Sequence, residues 1–210
     1  ISANKQTLYL LPEIALTTQL IGRLQNYFGE KVSVYHSKYN IQERVEVWNN
    51  VLVQKPKAQI VIGARSALFL PFSNLGLIIV DEEHEGSFKQ YDPAPRYHAR
   101  DSAIVLGKLH KSPVVLGSAT PSIESFYNAK IGKYGYASMN RRYGDVLMPE
   151  IELVDIKEQT RKKRMQGHFS EPLLEEITQA LDNGEQVILF QNRRGYAPIV
   201  ECTTCGHSPQ

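Results

Sequence analysis

Leu77-Ile78-Ile79-Val80-Asp81-Glu82-Glu83-His84 is the stretch on which the reading of this chain turns. Four consecutive aliphatics show no polar alternation, so a strand here is buried on both faces, as in the interior of a parallel sheet. Three carboxylates and an imidazole follow at its C-terminal end. In open α/β sheets that end is where ligands bind. Asp81 can hold a nucleotide-bound magnesium ion, usually through water, and Glu82 can orient and deprotonate an attacking water. The plainer reading is an acidic solvated turn. The four aliphatics running directly into Asp-Glu-Glu-His favour a site.

Outward from this segment the two secondary-structure periods alternate. Thr7-Leu8-Tyr9-Leu10-Leu11, Val32-Ser33-Val34-Tyr35, Gln59-Ile60-Val61-Ile62-Gly63 and Pro113-Val114-Val115-Leu116-Gly117 read as strands. Leu16, Leu20, Leu24 and Phe28 recur every four residues and predict a helix that Gly29 ends. Asn40 caps a second helix with the stripe Ile41, Val45, Trp48 and Leu52, and Tyr97 to Leu109 is helical in tendency. Strands alternating with helices indicate a layered α/β domain.

The texture changes near Arg141. Ile151 to Asp155 alternates like a strand, and Lys157 to Gly167 reads as a polar, basic, exposed loop. Ser170 and Pro172 open a helix whose stripe is Leu173, Leu174, Ile177 and Leu181, and Gln186 to Phe190 reads as a buried strand. The expectation is one domain over residues 1–140 and the start of a second α/β domain over 141–210.

Composition narrows the class. Of 210 residues 42% are hydrophobic, and 24 basic side chains meet 22 acidic ones, which excludes a highly charged disordered chain. No apolar run reaches the roughly 18–20 residues of a membrane-spanning helix. The opening Ile1-Ser2-Ala3-Asn4-Lys5 lacks both a secretory pattern and a Met, so a piece of a longer chain is expected. Two cysteines, Cys202 and Cys205, exclude a disulfide framework for most of the molecule and suggest a reducing, cytoplasmic setting. Residues 1–140 carry 15 basic and 11 acidic side chains, a balance that permits contact with phosphate.

A second motif lies at the next strand end, Leu116-Gly117-Ser118-Ala119-Thr120-Pro121-Ser122. Small hydroxylated residues at a sheet rim can bond to the acidic cluster and to a neighbouring domain. The Asp81–His84 and Ser118–Thr120 pair resembles the DEAH-like and SAT motifs of superfamily 2 helicases and translocases. Further stretches resemble the primosomal protein N′ family of replication-restart helicases, in order and over essentially the whole chain. Leu11-Pro12-Glu13-Ile14-Ala15-Leu16-Thr17-Thr18-Gln19 resembles its motif Ia, and Gly63 to Phe72, with Arg65 and Ser66, its motif Ib. Phe88-Lys89-Gln90-Tyr91 through Arg96-Tyr97-His98-Ala99-Arg100-Asp101 resembles its aromatic-rich loop, and Phe190 to Pro198, with Asn192 and Arg193, its motif IV region.

The resemblance implies a RecA-like P-loop NTPase fold, incomplete at both ends, in an ATP-dependent helicase moving 3′ to 5′ on DNA in replication restart and primosome assembly. Asp81, as magnesium ligand, and Glu82 would be catalytic. Glu83, His84, Ser118, Ala119 and Thr120 would couple the motor. Pro12, Glu13, Arg65, Ser66, Phe88, Lys89, Tyr91, Arg96, Tyr97, Arg100, Asn192 and Arg193 would meet nucleic acid. Implied partners are single-stranded and forked DNA, single-strand-binding protein and primosome proteins, with no membrane. The mixture of residues in the aromatic-rich loop suits a single strand, because aromatic faces stack bases while cations track phosphates, although the residues alone lean towards packing. Packing of the same tyrosines on the helix beneath is the competing reading.

Two implied features are incomplete. Cys202-Thr203-Thr204-Cys205-Gly206-His207 has zinc-knuckle spacing, but tetrahedral zinc takes four ligands and only two thiols are present, so the site is partial. No Gly-Lys-Thr or Gly-Lys-Ser phosphate cradle occurs anywhere in the 210 residues. The isolated chain is therefore expected to be inactive as an ATPase. Alternatives are a DNA-binding module without motor activity, another superfamily 2 translocase, and a hydrolase using Asp81 and Glu82 without nucleotide.

Overall fold

The structure is a computed structural model that describes residues 5–12, 18–36, 39–141, 144, 147, 149–190, 204 and 205. The chain divides into two compact units, Ile1–Ser138 and Met139–Gln210.

The first unit is built on five parallel strands: β1 (Gln6–Leu10), β2 (Val32–Tyr35), β3 (Ile60–Gly63), β4 (Leu75–Asp81) and β5 (Val114–Gly117), in the order β2-β3-β1-β4-β5. Parallel neighbours require crossovers, and helices supply them. These are α1 (Thr18–Phe28), α2 (Ile41–Leu52) and α3 (Ala99–His110), with α4 (Ile123–Lys130) after β5. Side chains alternate across the sheet. Leu8, Leu10, Ile78 and Val80 pack on one face with Val51 of α2 and Ala99 and Ala103 of α3. Leu11, Val32, Ile60 and Ile62 form the other cluster, against Tyr9 and against Leu20 and Leu24 of α1. Such two-sided burial stabilises each large aliphatic by about 1.5–3 kcal/mol. The sheet is the parallel α/β sheet expected from the aliphatic runs.

Helix α2 begins as its sequence predicts but faces differently. Asn40 accepts from the Glu43 amide and Glu43 accepts from the Asn40 amide, a complete capping box. The expected stripe of Ile41, Val45, Trp48 and Leu52 is nevertheless exposed, and Asn50 and Val51 point inward with Val47 half-buried. The helix carries apolar residues on two faces, and the sheet selects the one that also brings the Val51 carbonyl to the buried Gln6 side chain.

In the second unit Asp155 caps α5 (Ile156–Arg161), β6 (Met165–Gln166) pairs antiparallel with β7 (Phe169–Ser170), and α6 (Glu171–Asp182) follows. Residues 151–155 and 186–190, expected as strands, have no strand structure and are largely exposed. Among the described residues of this unit only the two-residue strands β6 and β7 pair, so neither apolar run has a ladder to join. The expected loop 157–167 instead holds most of α5, because the Asp155 carboxylate accepts from the amides of Lys157 and Glu158.

Candidate active site at the rim of the sheet

Strand β4 ends at Asp81, which pairs with Gly117 at the end of β5, so both sequence motifs emerge at the same rim. Glu82 then adopts a left-handed backbone (φ 49°), a conformation uncommon outside glycine, and turns the chain sharply off the strand. The Glu83 amide donates to the Gly117 carbonyl at 3.0 Å and pins the turn to β5.

The four ionisable side chains of the motif take four different environments. Asp81 accepts from the Tyr9 hydroxyl through Oδ2 at 2.8 Å and from the Glu82 amide through Oδ1 at 3.0 Å. Glu82 stays open, its side chain 47% exposed. Glu83 is 1% exposed. Its carboxylate accepts from the Ser122 amide (2.7 Å), the Ser122 and Ser125 hydroxyls (3.0 and 2.8 Å) and Arg100 Nη1 (3.0 Å). Burial alone would raise its pKa, but these donors outweigh it and hold the carboxyl below the usual range. His84 Nδ1 lies 2.7 Å from Ser118 Oγ and 3.6 Å from Glu82 Oε2, and His84 Nε2 lies 3.5 Å from Thr120 Oγ1.

The two motifs therefore meet, as expected of a hydroxylated rim. Ser122 of the second motif bonds to the Glu83 carboxylate, joined by Ser125 beyond it, whereas Ser118 and Thr120 bond to His84. Ala119 is exposed. Tyr9 is a further participant. Burial first, and then its bond to Asp81, raise its phenol pKa above the usual value, so the group remains a donor.

Asp81 and Glu82 are hard oxygen donors at the binding rim. Magnesium uses one or two such carboxylates together with substrate phosphates, so the set fits that ion. A Cβ at Gly117 would lie 3.3 Å from Asp81 Oδ1, and glycine keeps the space beside that oxygen open. The partial zinc segment falls largely outside the described residues. Cys202 lies outside the described residues, Cys205 is exposed, and no group of three or more His, Cys, Asp or Glu residues that could hold a metal ion occurs among the described residues.

The residues expected to meet nucleic acid divide by environment. Pro12 is buried and, with Leu11, Ala64, Arg65, Ser87 and Phe88, lines a small pocket of about 80 Å³. Arg65 Nη1 donates to the carbonyls of Ser87 (3.2 Å) and Lys89 (3.1 Å), clamping the start of the aromatic-rich loop, while Ser66 is partly buried. Phe88 is in the core, and Tyr97 packs edge-on against Phe69 with ring centroids 4.9 Å apart. Lys89 donates to the Arg96 carbonyl, and Gln90 Nε2 donates to the carbonyls of Pro93 and Pro95. This braces a tip on which Tyr91, 71% exposed, and Arg96 face solvent. Arg100 turns inward, its guanidinium shared among Glu83, Ser122 and Asp101, an internal ion-pair geometry rather than a free phosphate contact. Glu13, Asn192 and Arg193 lie outside the described residues.

Comparison with known proteins identifies relatives of this chain. Over 210 residues the chain is 43% identical to the replication restart protein PriA of Bacillus subtilis (strain 168), covering all of this chain and 26% of that protein. Over 204 residues it is 47% identical to the PriA of Rickettsia felis, covering 97% of this chain and 31% of that protein. The chain thus spans between about a quarter and a third of the length of these curated relatives. Among solved structures, RecG bound to a three-way DNA junction aligns with 61% of this chain and 16% of its own, at 22% identity and a TM-score of 0.40, too loose a likeness to carry an argument. Residues 1–128, which hold β1 to β5 and both rim motifs, match the DEAD/DEAH box helicase family. The match covers more than half of the chain, the parallel sheet is of the RecA-like kind, and the chain belongs to that family.

Proposed function

We propose that this chain is the part of an ATP-dependent, replication-restart DNA helicase that holds its hydrolytic carboxylates, with residues 1–138 in its first RecA-like domain and 139–210 opening its second. The observation that carries the reading is the rim itself, where an anchored Asp81 stands beside an open Glu82 at the end of a parallel strand. ATP with magnesium supplies the reacting phosphoryl group when bound. Asp81 would hold the metal, and Glu82, whose carboxylate among the described residues has only His84 close by, would take the proton of the attacking water. His84, Ser118 and Thr120 link that position to the segment after β5, and the exposed Tyr91 and Arg96, with the half-buried Lys89 beside them, offer stacking and charge to a single strand. The reading includes 3′-to-5′ movement on forked DNA, with single-strand-binding protein and primosome proteins as partners.

The cradle for the β- and γ-phosphates comes from elsewhere in the parent protein, so the 210-residue chain alone hydrolyses ATP negligibly. Steady-state phosphate release, with and without single-stranded DNA, tests both statements. The parent protein shows DNA-stimulated turnover that Glu82→Gln lowers by about 100-fold or more, and the isolated chain shows none. Stimulated turnover by the isolated chain that Glu82→Gln abolishes would overturn the second statement. Salt-sensitive DNA binding by the parent protein without any ATPase would replace the motor with a binding module.

A further inference from the structure

We propose that Tyr9 is a positioning residue for Asp81, its hydroxyl fixing the orientation in which that carboxylate receives the metal–triphosphate. The inference rests on the functional reading above and adds a residue outside both rim motifs.

The placement follows from the sheet. In the parallel ladder Tyr9 stands opposite Ile79, so its side chain shares a face with Leu77, Ile79 and Asp81. Asp81 lies two residues further along, about 6.6 Å at the rise of a strand. That is close to the reach of a tyrosine from Cα to hydroxyl, and the observed bond to Oδ2 is 2.8 Å. The ring packs against the cluster of Leu11, Val32, Ile60 and Ile62, which limits where the hydroxyl can go. A shorter residue here would fill the strand position equally well but leave Oδ2 without this donor.

Asp81 needs such a brace because it ends a strand and is only partly buried. The Glu82 amide engages Oδ1 alone. With Tyr9 on Oδ2, each oxygen has one protein donor and at least one lone pair remaining, so the carboxylate plane is set while acceptor capacity is left for a metal-bound water. Groups that orient a metal ligand in this way typically change metal affinity by 10- to 100-fold when lost. A tyrosine satisfied by the nearest acceptor for packing reasons alone would affect only stability.

Tyr9→Phe in the parent protein separates these cases, since it keeps the ring and removes one oxygen. Mn²⁺ binding, followed by electron paramagnetic resonance in the presence of a non-hydrolysable ATP analogue, is expected to weaken about tenfold or more. The half-saturating Mg²⁺ concentration for phosphate release is expected to rise by a similar factor, with the loss recovered at high Mg²⁺. Unchanged Mn²⁺ affinity in Tyr9→Phe, whatever its melting temperature, overturns the inference and leaves the functional reading intact. A wild-type parent that binds no Mn²⁺ with the analogue overturns both. Where Tyr9→Phe folds poorly, 3-fluorotyrosine at position 9 gives the answer: its fluorine resonance moves on adding Mg²⁺ and analogue, and a resonance unmoved at saturation rejects the role.

Discussion

Glu83 brings together three parts of the chain at a single carboxylate: the turn after β4, Arg100 at the start of α3 and Ser122 and Ser125 at the start of α4. Because its folded pKa lies below the ordinary 4.5, its contribution to stability is present above that pH and is lost as pH falls through the folded value. Glu83→Gln leaves the inward-turned Arg100 without its buried counter-ion, at a cost of about 3 kcal/mol near neutrality. Melting temperatures of wild type and Glu83→Gln are therefore expected to differ most at pH 7 and to converge below about pH 4.5. A constant gap across that range would show that the carboxylate's charge is not what the donors serve. The site was legible at this scale only where residue types announce chemistry. Asp81, Glu82 and His84 stand out as a run. Tyr9 reads as one more strand residue, and its meeting with Asp81 depends on a register between β1 and β4 that local pattern does not specify. Arg100 reads as a cation on an aromatic-rich loop, and only the position of Glu83 beneath it shows which way it turns.

Elements formed where local pattern and tertiary partner agreed. The runs at 7–11, 32–35, 59–63, 77–81 and 113–117 all became strands within a residue or two, since each finds parallel neighbours in one sheet. Residues 151–155 and 186–190 have similar composition without such neighbours among the described residues, and a strand is defined by its partner as much as by its side chains. The junction of α3 and β5 shows how tightly the successful elements fit. A Cβ at Gly107 would lie 2.3 Å from Val114 Cγ2 and 3.0 Å from the Ser112 carbonyl. Gly107→Ala must therefore push α3 away from β5, and the expected loss is about 1–3 kcal/mol despite the better helix propensity of alanine. Chemical denaturation gives the value, and a stabilised Gly107→Ala would mean that the helix and strand separate without cost.

Seen as a whole, the sheet of the first unit has an edge strand at each end, β2 beside β3 and β5 beside β4 among the described residues. The two edges differ in burial: β2 keeps Val32 and Tyr35 buried, whereas β5 leaves Val115 51% exposed. Exposed apolar side chains continue onto Ile123, Phe126 and Tyr127 of α4. A bare, apolar strand margin is a template on which a second molecule can lay its own backbone. Purified by itself, the 210-residue chain is therefore expected to self-associate as its concentration rises, visible as faster-sedimenting species in the ultracentrifuge. Val115→Lys, which places a charge on that margin, keeps it monomeric over the same range. In handling terms, the flank that makes the unit extensible also makes it prone to precipitate, and solubility becomes a direct report of whether β5 has found a neighbour.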